Sequence, residues 1–152
     1  MICYTNKHHI AFEIDDEDYL LVSSRAWWYQ RNGYIVTEIS QRTVLLHRLL
    51  MNTPEGFETD HINGNKLDNR KSNLRICTRS QNQHNQKPRT GSSKYKGVCW
   101  YKPVEKWLAQ IRSSGKKKHI GLFSDEKEAA LAYNSVAREL FGEYARLNIV
   151  ED

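Results

Sequence analysis

Asp60 and His61 lead an Asn-rich stretch, TDHINGNKLDNRKSNLRICTRSQNQHNQ, that closes at Gln86. A carboxylate is a hard oxygen ligand, and imidazole is the side chain whose ordinary pKa lies near neutrality. Together they could meet the needs of phosphodiester hydrolysis, which are a water made nucleophilic and a cation at the scissile phosphate to offset developing charge. Asn73 follows Asp60 by thirteen residues, and Asn82 follows Asn73 by nine. Taken singly, Asp60 reads as a turn or cap residue and each Asn as an ordinary cap. Adjacent residues on a strand point to opposite sides, so a kink or bulge would be required for Asp60 and His61 to serve one site.

The elements that would hold these residues can be read outward from them. The tract INGNKLDN after His61 is turn-rich, NLRIC from Asn73 is strand-like, and Thr78 to Asn85 looks like a polar helix capped by Thr78 or Ser80. A strand, a second strand and a helix would bring Asp60, His61, Asn73 and Asn82 together. Asn63, Asn65 and Asn69 read as turn residues, and His84 as an exposed helix residue. Upstream, TVLLHRLLM (43–51) reads as a strand passing into a short helix, and the residues around Asn32-Gly33 as a hairpin. HIAFEID and YLLVSS are rich in strand formers, and Trp27 and Trp28 could fill a thin hydrophobic centre.

In LHRLL (Leu46 to Leu50), DHINGNKLDN, NLR and SQNQHN the sequence resembles the H-N-H endonucleases, the ββα-metal family. The likeness is to its phage and intron homing branch, in which Asn replaces the last His. The resemblance implies that His61 is the general base, that Asp60 and Asn82 hold one divalent cation, and that Asn73 orients the His. The cation would be Mg²⁺, or Mn²⁺ or another divalent ion in its place. Arg75, His47 and Arg48 are its candidates for phosphate contact. A zinc-finger reading of the histidines fails for want of paired spacing and Cys partners.

Charge is unevenly distributed. Met1 to Ser24 carries five acids against Lys7, whereas Lys87 to Ile120 carries ten Lys and Arg against Glu105. A polyanion would meet the second part first, although a solvated basic face kept for solubility would read alike. QKPRTGSSK forms a linker. Beyond it YKGVCWY, KWLAQIRSS and KKHIGLF suggest a three-stranded antiparallel sheet, followed by a helix opening at Asp125 with Ala130, Tyr133, Ala137 and Leu140 at helical spacing.

Residues 95–148 resemble the APETALA/ethylene-response-factor DNA-binding domain through YKGV, KWLAQIR, IGLF, EAA and the later Tyr133, Gly142, Ala145 and Asn148. A twisted three-stranded sheet fits the roughly 12 Å major groove. By that resemblance Lys96, Trp107 and Arg112 are DNA contacts, with Lys117 and Lys118 near the third strand. Trp107 reads equally as core.

The expected class is therefore α+β: a small N-terminal β-rich region with a ββα-metal nuclease core, then a three-stranded antiparallel sheet packed on one helix. The expected boundaries are a nuclease domain over 1–86 with its motif core at 43–86, a linker over 87–94, and a DNA-binding domain over 95–152. The expected function is metal-dependent cleavage or nicking of double-stranded DNA by a monomer or weak homodimer. The alternative is a non-catalytic DNA-binding regulator with a decayed nuclease fold. No apolar run is long enough to span a bilayer and no signal-peptide pattern opens the chain, which points to the cytoplasm of a bacterial or phage-infected cell and to no membrane partner. Three Cys without a CxxC suggest reduced, structural thiols.

Overall fold

A computed structural model describes residues 1–88 and 91–151. Positions 89 and 90, inside the expected linker, and position 152 lie outside the described residues. The chain is α+β and forms two compact units, Met1–Asn82 and Gln83–Asp152.

In the first unit β1 (Ile2–Tyr4) pairs antiparallel with β2 (Ala11–Glu13). The helix α1 (Tyr19–Ser23) follows an acidic 3-10 turn over Asp16–Asp18. This corrects the strand expectation for YLLVSS. Val22 is its one buried residue and Leu21 packs partly on the core, so the segment turns an edge inward instead of alternating. Next, β3 (Trp28–Tyr29), β4 (Ile35–Ile39) and β5 (Arg42–Leu45) form an antiparallel sheet in that order. Gly33 has φ 92°, and Asn32 Oδ1 accepts from the amide of Tyr34, so the Asn-Gly pair shapes the β3–β4 turn. The chain passes from β5 directly into α2 (Leu46–Leu50).

Phe12, Ile14, Val22, Trp27, Ile35, Leu46 and Leu50 make the core of this unit. Trp27 meets Phe12 edge-on and donates its indole N–H to the carbonyl of Val22 at 2.8 Å. Trp28, expected to share that role, is instead 39% exposed, because alternation along β3 turns it to the other face. The strands β6 (Glu58–His61) and β7 (Leu74–Cys77) form a separate antiparallel ribbon, and α3 (Arg79–Asn85) follows in sequence.

In the second unit β8 (Val98–Tyr101), β9 (Lys106–Ser113) and β10 (Lys116–Phe123) form an antiparallel sheet in the order β10-β9-β8. The helix α4 (Glu126–Phe141) packs on one face of it. Asp125 caps α4 by accepting from the amide of Glu128 at 2.9 Å. Ala129, Ala130, Tyr133 and Ala137 are its buried residues. Leu140, expected to extend that stripe, is 40% exposed, and Phe141 packs on the core instead, because a step of four from Ala137 holds the face better than a step of three. Gly97 (φ 76°) sits where a Cβ would lie 2.1 Å from the Tyr133 ring and 2.6 Å from the Gln110 carbonyl oxygen. Its missing side chain lets α4 lie close to the sheet. Among the described residues no helix is long and apolar enough to cross a membrane.

Candidate active site

In the β6–β7 ribbon Asp60 stands opposite Arg75 and His61 opposite Leu74. The register runs without a break, so no bulge forms at Asp60. His61 is instead the last residue of β6, and a turn closed by the amide of Gly64 on its carbonyl follows at once. Asp60 therefore shares its side of the strand with Glu58, two residues earlier, and His61 leaves the strand end on the other side yet close enough to feel the Asp60 charge, so the strand end stands in for the bulge.

His61 is 4% exposed and packs edge-on against His47, with ring centroids 4.9 Å apart. Tyr34 tilts against both rings. His61 Nε2 lies 3.2 Å from Asn69 Oδ1. Asn69 Nδ2 donates to the Lys66 carbonyl, which fixes the amide so that its oxygen meets the ring. An amide oxygen only accepts, so Nε2 carries the proton and Nδ1 is the unprotonated nitrogen of the neutral ring. Burial pushes the His61 pKa below the usual histidine value, against the raising effects of the Asn69 hydrogen bond and the Asp60 and Asp68 charges. His47 is pushed down to about 3 by burial, then by the neighbouring His61. Both imidazoles are neutral at physiological pH. Burial and then the charges of Asp60 and Glu58 raise the Tyr34 pKa, which places all three groups in one electrostatic neighbourhood.

Asn73, 8% exposed, ties the loop between the strands. Its Oδ1 accepts from the amide of Asn63 at 3.0 Å and its Nδ2 donates to the carbonyl of Asp68 at 2.8 Å. The N-terminal region braces the same loop. Glu13 exchanges backbone bonds with Leu67 and Asn69, and the amide of Lys71 donates to Asp15 Oδ2 at 2.7 Å. Lys66 places its ammonium 4.0 Å from the Tyr34 ring centre and donates to the Asn32 carbonyl.

The helix α3 is opened by Thr78, whose hydroxyl accepts from the amide of Gln81 while Gln81 Oε1 accepts from the amide of Thr78 at 2.8 Å. This is a capping box, and it settles the choice between Thr78 and Ser80. Four residues into the helix segment, Asn82 donates Nδ2 to Glu58 Oε2 at 2.6 Å. Arg75 forks onto Asp60 Oδ2 at 2.8 and 3.2 Å, with both side chains about nine-tenths buried. Among the described residues no group of three or more His, Cys, Asp or Glu could hold a metal ion. Asp60 and Asn82 offer a carboxylate and an amide oxygen, the donor types a hard cation takes.

Of the other expected phosphate contacts, His47 is 4% exposed, so its ring serves the His61 pocket instead of an outer surface. Arg48 donates to the Phe57 carbonyl at 2.8 Å. Sequence reasoning missed Tyr34, Glu58 and Asn69. Glu58 could have been found from its two-residue offset from Asp60. Tyr34 and Asn69 carried no signal beyond turn composition.

In the second unit Arg112 stands opposite Lys117 on β9 and β10, and both are exposed. Ala109 and Ile111 are buried under α4, so alternation places Trp107 on that same face. Trp107 accordingly packs against the core and edge-on to Trp100 at 5.1 Å. Lys118 pairs with Ile111, also on the helix side, but its side chain is exposed. Lys96 is drawn inward, its ammonium donating to the carbonyls of His84 and Gln86, and burial pushes its pKa down to about 8. His84, expected to be exposed, stacks on Phe141 at 3.7 Å between ring centres.

Residues 52–84, which carry the ribbon, its loop and all but the last residue of α3, match the HNH endonuclease family. An uncharacterized HNH endonuclease of Acanthamoeba polyphaga mimivirus is 34% identical over 137 residues, 86% of this chain and 71% of that protein. The chain belongs to the HNH endonuclease family. This HNH protein is also similar to Protein 3.8 of Escherichia phage T7, at 35% identity over 94 residues, 61% of this chain and 77% of that protein. Its C-terminal region is similar to dehydration-responsive element-binding protein 2C of Arabidopsis thaliana, at 42% identity over 62 residues, 36% of this chain and 18% of that protein. No solved structure gives a significant match. Membership points to a nuclease and, with the plant similarity, to DNA as the partner. HNH nucleases generally use divalent metals.

Proposed function

We propose that the chain is a metal-dependent DNA endonuclease that cleaves or nicks duplex DNA. Its first unit would supply the chemistry, and the residues over 95–152 would supply affinity and register. The observation that carries this reading is His61, a buried neutral imidazole whose tautomer is set by Asn69 and whose neighbourhood includes the carboxylate of Asp60. A neutral ring can take a proton from water, and Nδ1 is the nitrogen that would do so. Asn69 then holds the charged ring by keeping its hydrogen bond from Nε2. Asn73 keeps the loop that carries Asn69 closed on the ribbon. Asp60 and Asn82 are the residues that would hold the cation, whose chemistry when bound is to stabilise charge on the phosphate and the leaving oxygen. Mg²⁺ suits two hard oxygen ligands that leave room for water.

Arg75 pairs with Asp60 and stands beside the phosphate path that this reading implies. On the second unit, Arg112 and Lys117 form an exposed basic pair on the sheet face turned away from α4, supporting a contact with the DNA backbone. Lys118 would add charge at the edge of that surface.

The direct test is supercoiled plasmid incubated with the full chain and Mg²⁺. Wild type should convert it to nicked or linear product, His61→Ala should not, and chelation should abolish the reaction. A DNA mobility shift without cleavage in any divalent metal would instead favour the non-catalytic regulator.

A further inference from the structure

Asn82 is asked to do two things in this fold, and the residue that makes this possible is Glu58. It is the first residue of β6, held opposite Cys77, whose thiol reaches the Glu58 carbonyl at 3.7 Å. Asn82 stands on the first turns of α3, where its amide N–H donates to the Thr78 carbonyl and the capping box fixes the helix start. Both side chains therefore spring from regular backbone, and the 2.6 Å bond between them spans 24 positions of sequence.

A carboxylate oxygen repels an amide oxygen and attracts an amide N–H, so a Glu at this distance admits one orientation of the Asn82 side chain. Nδ2 turns to Glu58. Oδ1, on the other branch of the planar amide, is directed away from it. An oxygen ligand is useful to a hard cation only when it is the oxygen that is presented, and a freely turning amide would offer its N–H part of the time.

We infer that Glu58 is a positioning residue for the cation site, turning the Asn82 amide so that Oδ1 is available as a ligand. The inference rests on the proposed cation role of Asp60 and Asn82 and extends it to a residue outside the expected set. It also explains the residue type: with Glu58 in place, an Asp at position 82 would bring two carboxylates together, whereas Asn donates on one side and accepts on the other.

The test is Mn²⁺ affinity of the full chain measured by calorimetry, with thermal melts alongside. Glu58→Gln keeps an acceptor oxygen without the charge and should hold affinity within about threefold of wild type. Glu58→Met keeps the volume but removes the acceptor, and should weaken affinity about 10- to 100-fold, the usual scale for losing a partner that orients a metal ligand. Equal damage by Gln and Met would overturn the inference, since it would mean that the charge acts on the ion directly. Wild-type affinity in the Met variant would overturn it as well. Asp60→Asn separates the levels: if it leaves Mn²⁺ affinity unchanged, the cation reading itself fails, whereas a loss there with no loss in Glu58→Met removes the Glu58 role alone.

Discussion

The two units handle polar side chains in opposite ways. Met1–Asn82 buries them: His47, Asp60, His61, Asp68, Asn69 and Asn73 are all under 9% exposed, held by the helix α2, the strand β6 and the loop that follows it. Gln83–Asp152 buries only Asn85 and Ser93 among its described polar side chains, builds its core from alanines, Tyr95, Tyr133 and a few aliphatics, and leaves Arg112, Lys117 and Lys118 on the surface of its sheet. Desolvation fixes protonation states and geometry, as proton transfer requires. Exposure keeps charges available to a polyanion and lets salt screen them. Damage should therefore take different forms: lost rate and stability in the first unit, lost affinity alone in the second.

The sharpest break is His61→Ala. Removing a general base typically costs about 10²- to 10⁴-fold in rate, and cleavage of plasmid should fall by that much while DNA binding stays near wild type. Next is Arg75→Ala. It removes the forked partner of the mostly buried Asp60 carboxylate, so chemical denaturation should show a loss of about 1–3 kcal/mol.

Acid should reveal the same contrast more gently. The folded pKa of His47 lies at about 3 against an ordinary value of 6.5, and that of His61 is also depressed. Between these values the unfolded chain binds a proton that the folded one refuses. Stability should therefore be full above about pH 6.5 and fall as pH drops, by about 1.4 kcal/mol per pH unit for His47. Melts of His47→Gln against pH should show a shallower slope, and an unchanged slope would remove His47 from the account.

The smallest stability effect belongs to the second unit. The double variant Arg112→Ala/Lys117→Ala should melt within about 0.5 kcal/mol of wild type. Its DNA affinity should fall, and the log-log salt slope should drop by about 1.8 if both side chains meet phosphates. An unaltered slope would place the DNA contact elsewhere.

Much of this contrast could be read in the sequence, for local reasons. Strand β7, the capping of α3, the three strands of the second unit and the Asp125 start of α4 depend on neighbours a few positions apart, and alternation or capping patterns record them. What could not be read depends on distant partners. Asn69 looks like any turn residue until Lys66 and His61 flank its amide. Lys96 reads as a surface cation until the carbonyls of His84 and Gln86 claim it. The strand-like composition of YLLVSS gave no hint of α1, whose form follows from presenting Val22 to the core.

Gly97 carries a consequence for how such a protein could diversify. Because any side chain there would collide with the Tyr133 ring and the Gln110 carbonyl, Gly97 fixes the distance between helix and sheet. Arg112 and Lys117 lie on the opposite face and are exposed. Residues at the exposed positions of Arg112 and Lys117 could be exchanged while that spacing holds, so the charge of this face could be tuned without disturbing the fold, provided Gly97 is left alone.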